Sequence, residues 1–313
     1  YQGEFYDHWY RFLRVYLPIG LVVGVGYTAA LDGWLVEPRD AYWHLGAWLT
    51  GRGADVDRSR VWDLLRTWVI KGYFAPLMYT YAIRDVVDLR AVVASDRVWF
   101  LYAFDGLWNL GFLVDVVFPT VGYLVTFRPL DTHVRSAEPT MRGWVVALVC
   151  YQPFFDLVSR QYLKYEGGFF WGNWLDPYPP VKWAWGAVIL ALLFVFVGST
   201  VAFGLRFSNL THRGVVTTGF YRWTRHPAYV SKCASYWLIF VPFVPRGSAY
   251  EVVRDCTWLG ALCVVYWLRA KTEERHLSRD PAYVAYATAM NDRSVFAPLG
   301  RWFPALRYQP PTG

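Results

Sequence analysis

Hydrophobic positions in this chain fall in long runs parted by short polar connections, a pattern that predicts helices able to cross a bilayer. The clearest run covers residues 183–203, contains no charged residue and centres on the apolar stretch from Val188 to Val197. About 20 apolar residues are needed to cover the hydrocarbon thickness as a helix. Residues 12–31 form a second run broken only by Arg14, and residues 98–127 a third that carries Asp105 and Asp115. Residues 143–158, 228–244 and 250–268 follow, while residues 67–83 are less apolar because Lys71 lies among them. The pattern therefore predicts an all-α, polytopic membrane protein with six or seven transmembrane helices. Trp183, Trp185, Tyr221, Trp223 and Trp267 sit at the ends of these runs, where interfacial aromatic belts are expected.

Composition agrees with this picture. Of 313 residues, 55% are hydrophobic and only 18% charged, against about 25% in soluble domains. The net charge of +7 would suggest nucleic acid in a soluble protein. Here the cations lie between the runs, which points instead to membrane orientation and contact with anionic lipid. Arg206, Arg213, Arg222 and Arg225 share one connection, and Arg269, Lys271, Arg275, Arg279 and Arg293 follow the last run. Both segments, and with them the C-terminal region, are expected on the cytoplasmic side. Residues 166–180, poor in cations and rich in proline, are expected opposite. Cys150, Cys233, Cys256 and Cys263 have no metal-ligand spacing, so buried free thiols and no metal are expected. The chain opens on Tyr1 rather than Met; an earlier start is expected, and no cleavable signal segment is visible.

No internal repeat or low-complexity tract divides the chain, but two regions differ in character. Residues 1–180 hold runs separated by polar connections, notably 32–66 with its Gly51-Arg52-Gly53 turn. Residues 181–313 are denser in motif-like clusters. Pro242, Pro245 and Gly247 punctuate the chain between two closely spaced helices. Such a helical hairpin returns the chain to the side it left. Residues 217–226 and 271–286 must then share one membrane face, and two distant polar clusters can form one site.

The first cluster contains Thr218-Gly219-Phe220-Tyr221-Arg222 and Arg225-His226-Pro227-Ala228-Tyr229; the second contains Glu273-Glu274. In order, spacing and membrane context, residues 180–298 resemble the isoprenylcysteine carboxyl methyltransferase and phospholipid methyltransferase superfamily. The resemblance implies S-adenosylmethionine as cofactor, with Tyr221, Arg225, His226, Tyr229, Glu273 and Glu274 lining its pocket. Local chemistry is compatible with that. Pro227 suits the first position of a helix, and the amides that follow it make an anion-binding helix start. Arg225 and His226 add donors for a cofactor carboxylate, and the glutamates acceptors for its amine or ribose diol. Adjacent glutamates diverge by about 100° on a helix, so their roles are expected to differ.

Each residue also has a plainer reading. Arg225 can anchor at the headgroups, His226 can be structural, and Glu273 and Glu274 can belong to a solvated mixed-charge face. Tyr221, Tyr229, Tyr283 and Tyr286 can be packing aromatics. Lys232, two turns beyond His226, and Asp255 on the next helix are expected as a buried pair unless Lys232 faces a substrate. Asp105, Asp115 and Asp156 raise the same question. The chain also departs from the superfamily: Ser231-Lys232 stands where small residues are common, Arg279-Asp280-Pro281 follows the glutamates, and 291–298 is a loose ending in which Arg293 supplies a cation. Glu273, Glu274, Lys232 and Arg293 are thus the catalytic candidates.

The resulting expectation is methyl transfer from S-adenosylmethionine to a lipid-like or small-molecule acceptor, whether carboxylate, amine or thiol. Membrane lipids are the expected surroundings and nucleic acid is not an expected partner. Two other classes compete: an NADPH-dependent intramembrane reductase of the sterol reductase type, and a non-catalytic subunit of a membrane complex in which residues 1–180 dock a partner.

Overall fold

The computed structural model describes residues 2–31, 34, 39–51, 56–95, 99–163 and 169–310. It is all-α: eleven α-helices and a single two-residue strand pair among the described residues. The N-terminal half contributes α1 (Gln2–Leu31), α2 (Ala41–Leu49), α3 (Arg58–Val93), α4 (Trp99–Leu124), α5 (Met141–Leu148) and the single turn α6 (Trp171–Trp174). The C-terminal half contributes α7 (Pro179–Phe203), α8 (Pro227–Phe240), α9 (Ala249–Leu277), α10 (Pro281–Arg293) and α11 (Ala297–Trp302).

Two helices are long and apolar enough to cross a membrane, α4 and the helix from Pro179 through Arg206 that contains α7. The other runs end up differently. Residues 12–31 and 67–83 lie inside the longer α1 and α3. Residues 143–158 are not one helix: α5 stops at Leu148, and a π-helical segment, Asp156–Leu163, follows. Pro153 lies between them, and a residue preceding proline is pushed out of the α region. Residues 228–244 shorten to α8, whose 14 residues rise only about 21 Å. Val241 takes a left-handed conformation and Pro242 cannot continue the helix. The connection 32–66 is not wholly irregular, since α2 forms within it, capped by Asp40, whose Oδ1 accepts from Trp43 N at 2.9 Å. Of its Gly51-Arg52-Gly53 turn, residues 52–53 lie outside the described residues, as do residues 166–168 of the segment expected on the far side.

The helical hairpin is present. Ser248 and Glu251 form a reciprocal capping box at the start of α9, and this helix runs back along α8 for 29 residues. Leu259, Leu262 and Tyr266 of α9 pack there against Tyr229, Cys233 and Tyr236 of α8. On its other side, α8 meets α4, α6 and α7 in a core of Phe104, Trp171, Ile189 and Ile239.

Two devices tie the halves together at the end of the bundle where the motif clusters meet. Strands β1 (Ser136–Ala137) and β2 (Thr211–His212) pair antiparallel, with Ser136 opposite His212. Beside them, Arg213 is 3% exposed and donates to the carbonyls of Thr132, Gly122 (2.9 Å), Val125 (3.2 Å) and Phe207 (3.3 Å). Gly122 and Val125 belong to the last turn of α4 and the residue after it, where the helix dipole favours a cation. Burial lowers this guanidinium to about 10. At Gly122 a Cβ would come within 2.8 Å of Phe207 O and 2.9 Å of Leu205 O, both backbone atoms, so glycine is required for the close approach.

Candidate functional site

The start of α8 and the end of α9 bring the two motif clusters together. His226 is the residue before Pro227 and forms the N-cap of α8; no side chain caps this helix. Glu273 and Glu274 lie one turn before the end of α9. His226 Nε2 sits 3.0 Å from Glu274 Oε1, and Arg225 Nε donates to the same oxygen at 2.9 Å. Lys271 Nζ donates to the other oxygen at 2.8 Å. Glu274, with its side chain 5% exposed, is the hub of this cluster. Burial alone would raise its pKa, but the hydrogen bond from His226 and the charges of His226, Arg225 and Lys271 win and lower it to about 2. Its three partners thus hold Glu274 in its anionic form.

Glu273 faces elsewhere, as the angular divergence requires. Its Oε1 accepts from Tyr229 Oη and from Arg269 Nε (3.3 Å). Its other oxygen has no hydrogen bond among the described residues, and the side chain is 34% exposed. Arg269 extends the network through Asn209 Oδ1 (2.5 Å), and Asn209 bonds to Tyr123 Oη on α4.

The terminal nitrogens of Arg225 donate to Asn291 Oδ1 (3.0 Å) and Leu306 O (2.7 Å), which ties residues 291–308 to the start of α8. Arg293, a catalytic candidate, is exposed at the end of α10 and lines neither cavity described below; α10 turns it outward while Asn291, two residues earlier, points in. The expected Lys232–Asp255 pair is absent among the described residues. Asp255 bonds to Arg254 at 2.8 Å, and Lys232 Nζ instead faces the rings of Phe196 (5.3 Å) and Tyr266 (5.5 Å). The four cysteines are free as expected but only partly buried.

Two cavities of about 410 and 420 Å³ flank this cluster, a size typical of small-molecule sites. Arg225, His226, Tyr229 and Tyr266 line both, so they form a shared wall. The first has mixed polarity and reaches from Tyr283 and Tyr286 past Tyr221 and Glu273 to Lys232 and Asp115. The second is mostly apolar and lies under residues 290–307, with Cys233 and Cys263 in its wall.

The sequence alone did not reveal several contributors. The N-terminal half supplies much of the first cavity, including Met78, Asp115 and Tyr151. Ser136 Oγ lies 2.9 Å from His276 Nε2, and Arg275 reaches Glu138 at 3.3 Å, locking α9 to β1. Burial lowers His276 to about 4. Tyr283 is another contributor: its buried hydroxyl has no hydrogen-bond partner, and the residue lines the cavity that Glu273 faces. Buried hydroxyls without partners are rare, and no signal in the sequence separated this tyrosine from a packing residue.

A protein family described as of unknown function, DUF1295, matches residues 180–290. Neither the curated proteins nor the solved structures contain a match to this chain.

Proposed function

We propose that this chain is an integral membrane methyltransferase that uses S-adenosylmethionine to methylate a lipid-like or membrane-delivered acceptor. The observation that carries the reading is the junction of the two motif clusters, at His226–Glu274 and Tyr229–Glu273, on the wall shared by two cavities. The family matched over residues 180–290 is associated with steroid 5-alpha reductase and methyltransferase-like membrane proteins, a description that accommodates this reading and its reductase rival alike.

The residues present suit the cofactor. The uncommitted oxygen of Glu273 can accept from its ammonium or ribose diol. The Tyr283 hydroxyl and the uncapped amides of α8 can donate to its carboxylate. When bound, this cofactor supplies a methyl group on a positively charged sulfur. That methyl would pass to the acceptor, leaving the electron pair of the broken bond on sulfur. Glu274 holds Arg225, His226 and Lys271 in place. An amine or thiol acceptor must give up a proton, whereas a carboxylate acceptor needs no base.

Membrane embedding through six or seven helices belongs to the same proposal. Besides α4 and α7, outward-facing apolar side chains support it on α1, where Val22 is 75% exposed, and on α9, where Val253 is 65% exposed. Exposed apolar faces of this extent mark contact with lipid or with other proteins. A cytoplasmic site rests on the basic connections. Arg213, Arg225 and Arg269 are spent inside the protein, which leaves Arg222, Arg275, Arg279 and Arg293 exposed as the orienting charges. Isothermal titration of detergent-solubilised protein with S-adenosylhomocysteine and with NADPH tests the assignment. Binding of the first and not the second is expected; the reverse moves the chain to the reductase class.

A further inference from the structure

A cation in a cavity at membrane depth is costly unless something balances it. The arginines around the mixed-polarity cavity are all committed to protein atoms. Arg84 lies 3.6 Å from Asp85, Arg206 lies 3.6 Å from Asp131, Arg225 holds Glu274, Arg269 holds Glu273, and Arg213 is held by carbonyls. Lys232 differs. Its ammonium lies over the rings of Phe196 and Tyr266, and among the described residues no carboxylate comes within ion-pair distance of it. Asp115 lines the same cavity and is near enough to feel the charge of Lys232, but it accepts from Thr200 Oγ1 at 2.5 Å and is beyond the 4.0 Å of an ion pair. Two aromatic faces steady an ammonium without neutralising it. They also surround it with apolar surface, which Tyr236 and Phe112 extend.

We infer that Lys232 is the counter-charge for an anionic group on the molecule that enters this cavity. On the methyltransferase reading, which this inference rests on for the word acceptor, the methyl acceptor is an anionic amphiphile and neither a neutral nor a cationic one. Its carboxylate or phosphate seats on Lys232, and its apolar body lies among the aromatic rings.

The test uses probes of equal chain length: dodecanoate, dodecyl phosphate, dodecanol and dodecyltrimethylammonium. Each is titrated into the full chain in a nonionic detergent and followed by the fluorescence of its 18 tryptophans. The two anions are expected to bind about ten- to a hundredfold more tightly than the alcohol or the cation, as for one charged hydrogen bond. Whichever anion leads names the source of the group. Lys232→Met is expected to bring both anions down to the level of the alcohol, and Lys232→Arg to keep the preference. Affinity for S-adenosylhomocysteine, measured on the same samples, is expected to be unchanged in Lys232→Met, which also reports that the variant is folded. An anion preference that survives in Lys232→Met overturns the proposal. So does a matching loss of S-adenosylhomocysteine affinity, which would assign Lys232 to the cofactor's own carboxylate. If the wild type ignores S-adenosylhomocysteine while Lys232→Met still abolishes the anion preference, the methyltransferase reading falls and the anion site stands.

Discussion

The two sides of α9 near its C-terminal end make an instructive contrast. Glu274 lies in the wall of the second cavity, but in a cluster in which both its oxygens are taken by Arg225, His226 and Lys271. Glu273, its neighbour, has one oxygen uncommitted and looks into a cavity that Tyr283, whose hydroxyl has no partner, also lines. The same residue type in the same motif thus has two physical roles. Saturated, buried charge holds a structure together; unsaturated polar atoms at a cavity wall are available to a ligand. Which glutamate does which is decided by the 100° step between them and by what packs against each face.

The largest effect should come from the closed side. Glu274→Gln leaves three cationic or donor groups around a neutral amide, and breaking a buried pair typically costs about 3–5 kcal/mol. Thermal unfolding in detergent should show a large loss, with cofactor binding failing only because the fold does. Full stability in Glu274→Gln would mean the cluster is not a hub.

Acid should act next, in two stages. His276 has a folded pKa of about 4 against an ordinary 6.5, so protonation of the unfolded chain draws stability away as pH falls from 6.5 towards 4. Glu274, lowered from 4.5 to about 2, is fully stabilising above 4.5 and loses its share, about 3 kcal/mol, as pH falls towards 2. Unfolding temperatures measured from pH 8 downward should decline from about 6.5, and His276→Gln should shrink the upper stage and leave the lower one, the remainder coming from His212 and His133, which burial also lowers.

On the open side, Glu273→Gln should leave the unfolding temperature within a few degrees. Its loss should appear in S-adenosylhomocysteine affinity instead, by about ten- to a hundredfold if a charged hydrogen bond is removed. A variant that loses stability and keeps affinity would erase the distinction between the two glutamates. The smallest effect is expected at Arg293→Ala, which should change neither measurement, because this side chain points away from both cavities.

Much of this was legible in the sequence, and the reasons for the rest are physical. Apolar runs and proline punctuation located α4, α7 and the α8–α9 hairpin, because hydrophobic length and helix breakers act locally. The meeting of His226 with the glutamates followed from hairpin topology alone. Arg225's partners were not legible: Asn291 and Leu306 lie 66 and 81 residues away, and nothing local signals that residues 291–308 fold back. The same holds for Arg213, which reads as one more juxtamembrane cation until the carbonyls of α4 surround it. Lys232 read as half of an ion pair with Asp255, because charge balance is visible in a sequence and distance is not.

The two-residue ladder between Ser136 and His212, with Arg213 among the α4 carbonyls, has a consequence for dissecting the protein. The segment that matches a family begins at residue 180 and looks separable. Yet cut away from residues 1–178, it would present a buried-type guanidinium without its acceptors and a cavity missing a side. Two polypeptides divided at the loop before Pro179 should therefore be poor folders apart and should recover as a complex when made together. That behaviour would make the ladder and the arginine the clasp of a natural split pair.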